Sequence, residues 1–206
     1  MKNKKSDKTK HYHWLMGADM FLASSVILCD QMLMSYVSPK KMNCLNNIQQ
    51  IDKRCGFTSA NPDYEMLMPV IFNLKHGIEL YLKALIMQIG LEQEYPQSHD
   101  LLSLLNSLIE KIGKKQFVES DCKTILDEKL RNIIEKYYFG TYAFSVDQSH
   151  PDTNNEAERY PEYRNNVCYK IDELHKKVHN ELLNEIKGDI VIIQKNVREN
   201  IYKKIC

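Results

Sequence analysis

The strongest constraint on this chain is a stretch that is apolar on nearly every side of a helix. It reads NLKHGIELYLKALIM from Asn73 to Met87, and Val70, Ile71 and Phe72 precede it. A helix of that kind has to be enclosed by other protein. Its polar residues Asn73, His76, Glu79 and Lys83 recur at steps of three and four, so they form one narrow stripe. Glu79 stands four residues before Lys83, the favourable order for an ion pair along a helix. The spacing predicts a helix from about Tyr64 to Ile89, with Pro69 in its first turn or at a kink and Gly90 as its cap. After a loop of about ten residues, SHDLLSLL opens the next helix. Ser98 is its expected N-cap, and Leu101, Leu102, Leu104, Leu105, Leu108 and Ile112 point inward up to Gly113.

The remaining chain is also read as helical. A first helix is expected from about Lys10 to Tyr36, with Trp14, Leu15, Phe21, Leu22, Ile27, Leu28 and Leu33 on its apolar face, ended by Ser38-Pro39. Residues 40–63 are mostly connection, with room for a short helix around Asn43 to Lys53. A fourth helix is predicted from about Ser120 to Tyr138, with Ile125, Leu126, Leu130, Ile133 and Ile134 inward. Residues 139–165 hold Gly140, Pro151 and Pro161 among several aromatics, which suggests an ordered loop. The last helical stretch runs from about Asn166 to Ile205. Unbroken it would extend ~60 Å, so a break or bend is expected at Gly188-Asp189. Otherwise its far end projects, and the apolar stripe there becomes a dimerisation surface.

With 206 residues, one domain is the default: a basic tail over residues 1–9, then a helical domain over 10–206 that includes the 139–165 loop. Gly and Pro are scarce, at 7 and 6, which favours helices over a turn-rich β architecture. The formal net charge of +1 gives no global attraction to nucleic acid or membrane. Both chain ends are locally basic, either as solvated surface or as phosphate-backbone contacts. Six cysteines at long, irregular spacings read as reduced thiols of a cytoplasmic protein rather than a disulfide framework. The apolar run Met20 to Cys29 is flanked by Asp19 and Asp30 and lacks a cleavage site, so it reads as part of an amphipathic helix rather than a secretory signal. No run reaches the ~18 apolar residues of a membrane span.

GIELYLKALI, the SHDLL that follows it, and RYPEYR from Arg159 to Arg164 together resemble the HEPN superfamily in their order and spacing. The resemblance spans roughly residues 10–190. It implies an all-α, antiparallel up-and-down bundle of about five helices. It further implies a prokaryotic defence or toxin–antitoxin setting, a homodimer, RNA or a nucleotide as ligand, and a partner protein such as an antitoxin. Active members of the family are metal-independent RNases. Their motif is an Arg followed after four to six residues by a His, a cation for the phosphorane-like charge and an imidazole for the 2′-hydroxyl proton. None of the five arginines here (Arg54, Arg131, Arg159, Arg164 and Arg198) has a His at that distance. The departure points to a binding protein, with RNase activity as the alternative only if an irregular set such as His76, Arg159 and Arg164 assembles in three dimensions.

Each candidate also has a plain structural reading. His76, Glu79 and Lys83, with Asn73, can form a satisfied polar network inside a bundle. His99 and Asp100 can cap a helix and face its positive end. Arg159 and Arg164 can pair with Glu156, Glu158 and Glu162 beside them. His175 and His179 share a helix face, but Lys176 and Lys177 between them repel a cation, so no metal and no cofactor is expected. Phosphate-binding glycine loops and Gly-x-Ser-x-Gly are absent from the sequence. A purely structural or protein-interaction bundle is the third alternative.

Overall fold

A computed structural model of the chain describes residues 10–37, 62–90, 96–114, 120–139, 162–163, 167–168 and 180–205. The fold is all-α. Among the described residues, α1 is Lys10–Val37, α2 is Pro62–Gly90 and α3 is Leu101–Gly113. The next helix, α4, is continuous through Ser120–Thr124, a π-helical Ile125–Leu130 and Arg131–Tyr138. The last, α5, joins Asn180–Gln194, a π-helical Lys195–Tyr202 and Lys203–Ile205. A minimal antiparallel hairpin, β1 Glu162–Tyr163 and β2 Val167–Cys168, sets Glu162 opposite Cys168 and Tyr163 opposite Val167.

The centre of the bundle is α2, because it has no face free of apolar residues. Leu67, Val70, Ile71, Leu74, Ile78, Tyr81, Leu82, Leu85, Ile86 and Ile89 are all buried. Pro69 lies on an exposed side of α2 and within the helix, not in its first turn. Antiparallel to α2 runs α1, whose Ser25 hydroxyl donates to the Val70 carbonyl at 2.9 Å and whose Phe21 ring meets Phe72 and His76. The two helices approach closely at Gly77, where a Cβ would stand 2.7 Å from Leu22 Cγ. On its other edge α1 runs antiparallel to α5, tied by Asp19 to Arg198 and Asp30 to Lys187. Against α5 lies α4, with the Tyr137 hydroxyl donating to Asp189 at 2.8 Å and Lys136 donating to Glu185 at 2.8 Å. Between α4 and α2 lies α3, packed against both, and Arg131 of α4 bonds Asn106 of α3 at 2.8 Å. The helices thus close a ring around a core of Leu, Ile and Tyr side chains.

Four local expectations are corrected. The buried seam of α1 is Leu15, Ala18, Leu22, Ser25, Cys29 and Met32, in strict alternation of three and four residues. Trp14, Phe21, Leu28 and Leu33 are its half-buried flanks and Ile27 is exposed, because the small side chains of Ala18 and Ser25 let the backbones close up there. The N-cap of α3 is Asp100, not Ser98. Its Oδ1 accepts from the Leu102 and Ser103 amides at 2.9 and 3.2 Å, while the Ser98 hydroxyl accepts from the Asp100 amide. No break occurs at Gly188: a Cβ there would meet nothing, α5 continues through it, and neighbouring Asp189 is fastened to α4. Val167 and Cys168 pair with Tyr163 and Glu162 as strands and do not begin the last helix. The expected short helix at Asn43 to Lys53 lies outside the described residues.

The expectation about membrane-length segments is also revised. By length and composition His11–Met34 of α1 is apolar enough to cross a membrane. Here it packs on α2, and its Asp19 and Asp30 are paired by α5. The apolar face of α5, expected as a surface if its end projected, is buried through Leu182, Ile186, Ile190, Ile193 and Val197.

Candidate functional site

The polar stripe of α2 is gathered around one carboxylate. Glu79 is 2% exposed, and three cations or imidazoles converge on it. Lys83 Nζ donates to Oε1 at 2.8 Å from one turn along α2. His99, carried over by the connector before α3, brings Nδ1 to 3.0 Å from the same oxygen. His76 Nδ1 lies 3.5 Å from Oε2. Burial alone would push the Glu79 carboxyl up. The hydrogen bonds from His76 and Lys83, with the charges of Lys83 and His99, override that and hold it down at about 2. A carboxylate only accepts, so a nitrogen bonded to it is the one carrying the proton, and in a neutral ring Nε2 is then left as the acceptor.

Exposure rises outward through the cluster. The side chains of Glu79 and Lys83 are 3% exposed, His76 27% and His99 48%. Aromatic rings flank the stripe. Phe72 stacks on the His76 ring at 5.5 Å, Phe21 meets its edge at 4.5 Å, and Lys83 Nζ lies 6.0 Å from the Trp14 ring. Trp14, Phe21 and Phe72 are all half-buried. The arrangement combines imidazoles oriented by a shared anion with aromatic surfaces beside them. Such a site can accept a proton at Nε2 of a neutral ring, donate Nε2–H to a phosphate oxygen from an imidazolium, and stack a planar base.

Four of the residues picked out in the sequence therefore meet: His76, Glu79, Lys83 and His99. Asn73 is half-buried on α2, three residues before His76. Asp100 is adjacent in sequence to His99, but its carboxylate is taken up in capping α3, where it also accepts from the Ser103 hydroxyl at 3.0 Å. Arg159 and Arg164 lie outside the described residues, as do His175 and His179. Of the arginines that are described, Arg131 bonds Asp127 and Asn106, and Arg198 bonds Asp19. No cluster of three or more metal-ligating side chains occurs among the described residues.

Sequence reasoning assigned Trp14 and Phe21 to the core and missed them as walls of the site. The available signal was their separation of seven residues, two turns along one face of α1. Lys75 was missed as well. It is 1% exposed, and its Nζ lies 5.1 Å from the Tyr138 ring centroid.

The model of the HEPN domain family matches residues 63–185, more than half of the chain. The match runs from α2 through the first part of α5 and contains the whole Glu79 cluster except the walls supplied by α1. No curated protein and no solved structure matches the chain.

Proposed function

From the premise that this chain belongs to the HEPN domain family, we propose that it is a nucleic-acid- or nucleotide-binding component of a prokaryotic defence or toxin–antitoxin system. The observation that carries this reading is the pair of part-exposed imidazoles, His76 and His99, held on buried Glu79 beside half-buried aromatic rings. In the imidazolium form each ring keeps Nδ1–H on Glu79 and donates Nε2–H to a phosphate oxygen, and a base stacks on Trp14, Phe21 or Phe72. Base–aromatic stacking contributes about 1–3 kcal/mol per base. Trp14 is the only tryptophan in the chain, so it reports directly on the site. Titration with short single-stranded RNA at low salt should quench its fluorescence, and His76→Ala and His99→Ala should each weaken binding at least several-fold. RNA that neither quenches Trp14 nor is affected by these substitutions leaves an interaction bundle without this ligand.

The same pair of imidazoles supports a second reading, a metal-independent RNase with an irregular site. Incubation with mixed RNA in the presence of a chelator tests it. Cleavage by the wild type that is lost in His76→Ala and Arg164→Ala favours catalysis, and intact RNA favours binding alone.

A further inference from the structure

Two features take no part in the Glu79 cluster, an apolar outer face on α1 and the basic charge of both chain ends, and the fold joins them. Tyr12, Met16, Met20, Ile27 and Met34 are 48%, 44%, 68%, 59% and 58% exposed and share the face of α1 turned away from α2. From Tyr12 to Met34 that face is ~33 Å long. Among the described residues, the exposed ones of α1 include no Asp, Glu, Lys or Arg. The exposed parts of the five side chains amount to roughly 600 Å², the upper end for the largest apolar patch of a monomer. The pairs Asp19–Arg198 and Asp30–Lys187 set α1 and α5 antiparallel in one register. That register brings the end of α5 to the start of α1, where the Tyr202 hydroxyl lies 3.3 Å from His11 Nε2. Residues 1–10 lead into α1 with five Lys against one Asp, and residues 195–204 close α5 with four Lys or Arg against one Glu. A chain of net charge +1 therefore joins a segment of +4 to a segment of +3 at the head of its apolar face.

We infer that this face of α1 seats the protein on an anionic lipid surface, with the helix lying in the interface plane. The charge pattern selects the occupant. Nucleic acid would engage the basic pole and leave the exposed Met and Ile side chains unused, and an apolar protein partner would leave the pole unused. A bilayer of anionic lipids uses both, since the acyl boundary takes the apolar side chains and the headgroup phosphates take the lysines. One such signal alone gives marginal, reversible attachment, and two together give a stable one. The acids of α1 do not oppose it, because Asp19 and Asp30 are paired with Arg198 and Lys187. On the flank toward α5, Lys195 is exposed and adds a further cation. The opposite side of α1 keeps the helix from crossing the bilayer: Leu15, Ala18, Leu22, Cys29 and Met32 are buried in the core of the bundle. The inference stands apart from the RNA reading, since none of the residues on this face belongs to the Glu79 cluster.

Co-sedimentation of the full chain with lipid vesicles tests it. The wild type should pellet with phosphatidylcholine vesicles that hold about one third phosphatidylglycerol, and bind pure phosphatidylcholine at least about tenfold more weakly. Salt at ~1 M, where the Debye length is about 3 Å, should release most of it. Met20→Glu and Ile27→Glu, each on an exposed position and each checked by circular dichroism, should separately reduce binding by about tenfold or more. Lys4→Gln with Lys5→Gln should weaken it while the apolar face is intact, by up to about fivefold for each lysine removed. A wild type that ignores the vesicles or binds both compositions equally overturns the inference, and these two results need no variant. Face variants that bind like the wild type overturn it too, since charge alone would then hold the protein. Two further results reassign the surface and overturn it as well. A doubled mass in analytical ultracentrifugation that Met20→Glu disperses, without vesicle binding, makes a second copy the occupant. RNA binding that the lysine substitutions weaken, again without vesicle binding, gives the pole to nucleic acid.

Discussion

Gly77→Ala is the sharpest probe of how α1 and α2 meet. On its own helix an alanine is better than glycine by about 1 kcal/mol, so an open site would be stabilised. At Gly77 the new methyl would lie 2.7 and 2.8 Å from Leu22 Cγ and Cδ2, and 3.3 Å from the Ala18 carbonyl oxygen. Leu22 is wholly buried and the carbonyl is backbone, so neither neighbour has space to retreat. Forcing a methylene into a packed core costs roughly 1–3 kcal/mol, occasionally more. The net expectation is a loss of up to about 2 kcal/mol, or up to several degrees in Tm at this chain length, in place of the gain an open site would give. Gly188→Ala is the matched control. A Cβ there meets nothing within 4 Å in the middle of α5, so it should gain up to about 1 kcal/mol. Urea melts followed by circular dichroism measure both. In a Leu22→Ala background the obstruction is gone and Gly77→Ala should become neutral or stabilising, a coupling that a double-mutant cycle resolves. If Gly77→Ala instead matches Gly188→Ala and shows no coupling to Leu22, the close approach of α1 and α2 is wrong.

Other perturbations follow from the same contacts. The Glu79 carboxyl is held near 2, below its ordinary 4.5, so its ionised form stabilises the fold above about pH 4.5 and that contribution, roughly 3 kcal/mol, disappears as pH falls toward 2. Acid unfolding should therefore be steeper in the wild type than in Glu79→Gln, which at neutral pH loses about 3–5 kcal/mol by leaving buried Lys83 without its anion. Asp100→Ala should cost about 1 kcal/mol in thermal melts and Asp100→Ser much less, because the serine can still cap α3. Burial first, and then the charge of Asp30, push the Cys29 thiol up to about 12 against a smaller opposing effect of Lys187. Iodoacetamide should therefore leave Cys29 unmodified in the native protein and label it in urea, as peptide mapping will show.

The all-α fold and the central place of α2 were legible because a helix apolar on every side has one solution, enclosure. The meeting of His76, Glu79 and Lys83 was equally legible, since three- and four-residue steps on one helix settle it without any tertiary information. His99 came into view only through its motif, and its distance to Glu79 depends on a connector whose path no periodicity reports. The seam of α1 was misjudged because the reading weighted the largest apolar residues. Helices pack closest over their smallest side chains, so Ala18 and Ser25 mark the seam and Ile27 is left outside. Ser98 and Asp100 are both good caps in a sequence, and backbone geometry decides between them. Gly188 suggested a break because an unbroken stretch from Asn166 would be too long for the domain, whereas α5 continues through it and the adjacent Asp189 is bonded by Tyr137 and Lys136 of α4.

The buried charges of α2 carry one more consequence. An ion pair such as Glu79 and Lys83, removed from water, adds little stability over apolar residues of the same size. Its presence inside an otherwise apolar helix is therefore better explained by what it holds than by what it stabilises. The gradient of exposure says what that is: the pair is sealed, and the imidazoles that depend on it are the parts a ligand can reach. The two layers should therefore separate under mutation. Lys83→Met and Glu79→Gln act on folding and on ligand together, since they unfasten the rings from within. His99→Ala removes a half-exposed group that bonds Glu79 from the outside, so it should cost clearly less stability than Glu79→Gln while RNA binding falls several-fold. A His99→Ala protein that melts well below the wild type, with RNA binding unchanged, would mean that the cluster is only a structural clasp and that the ligand site lies elsewhere.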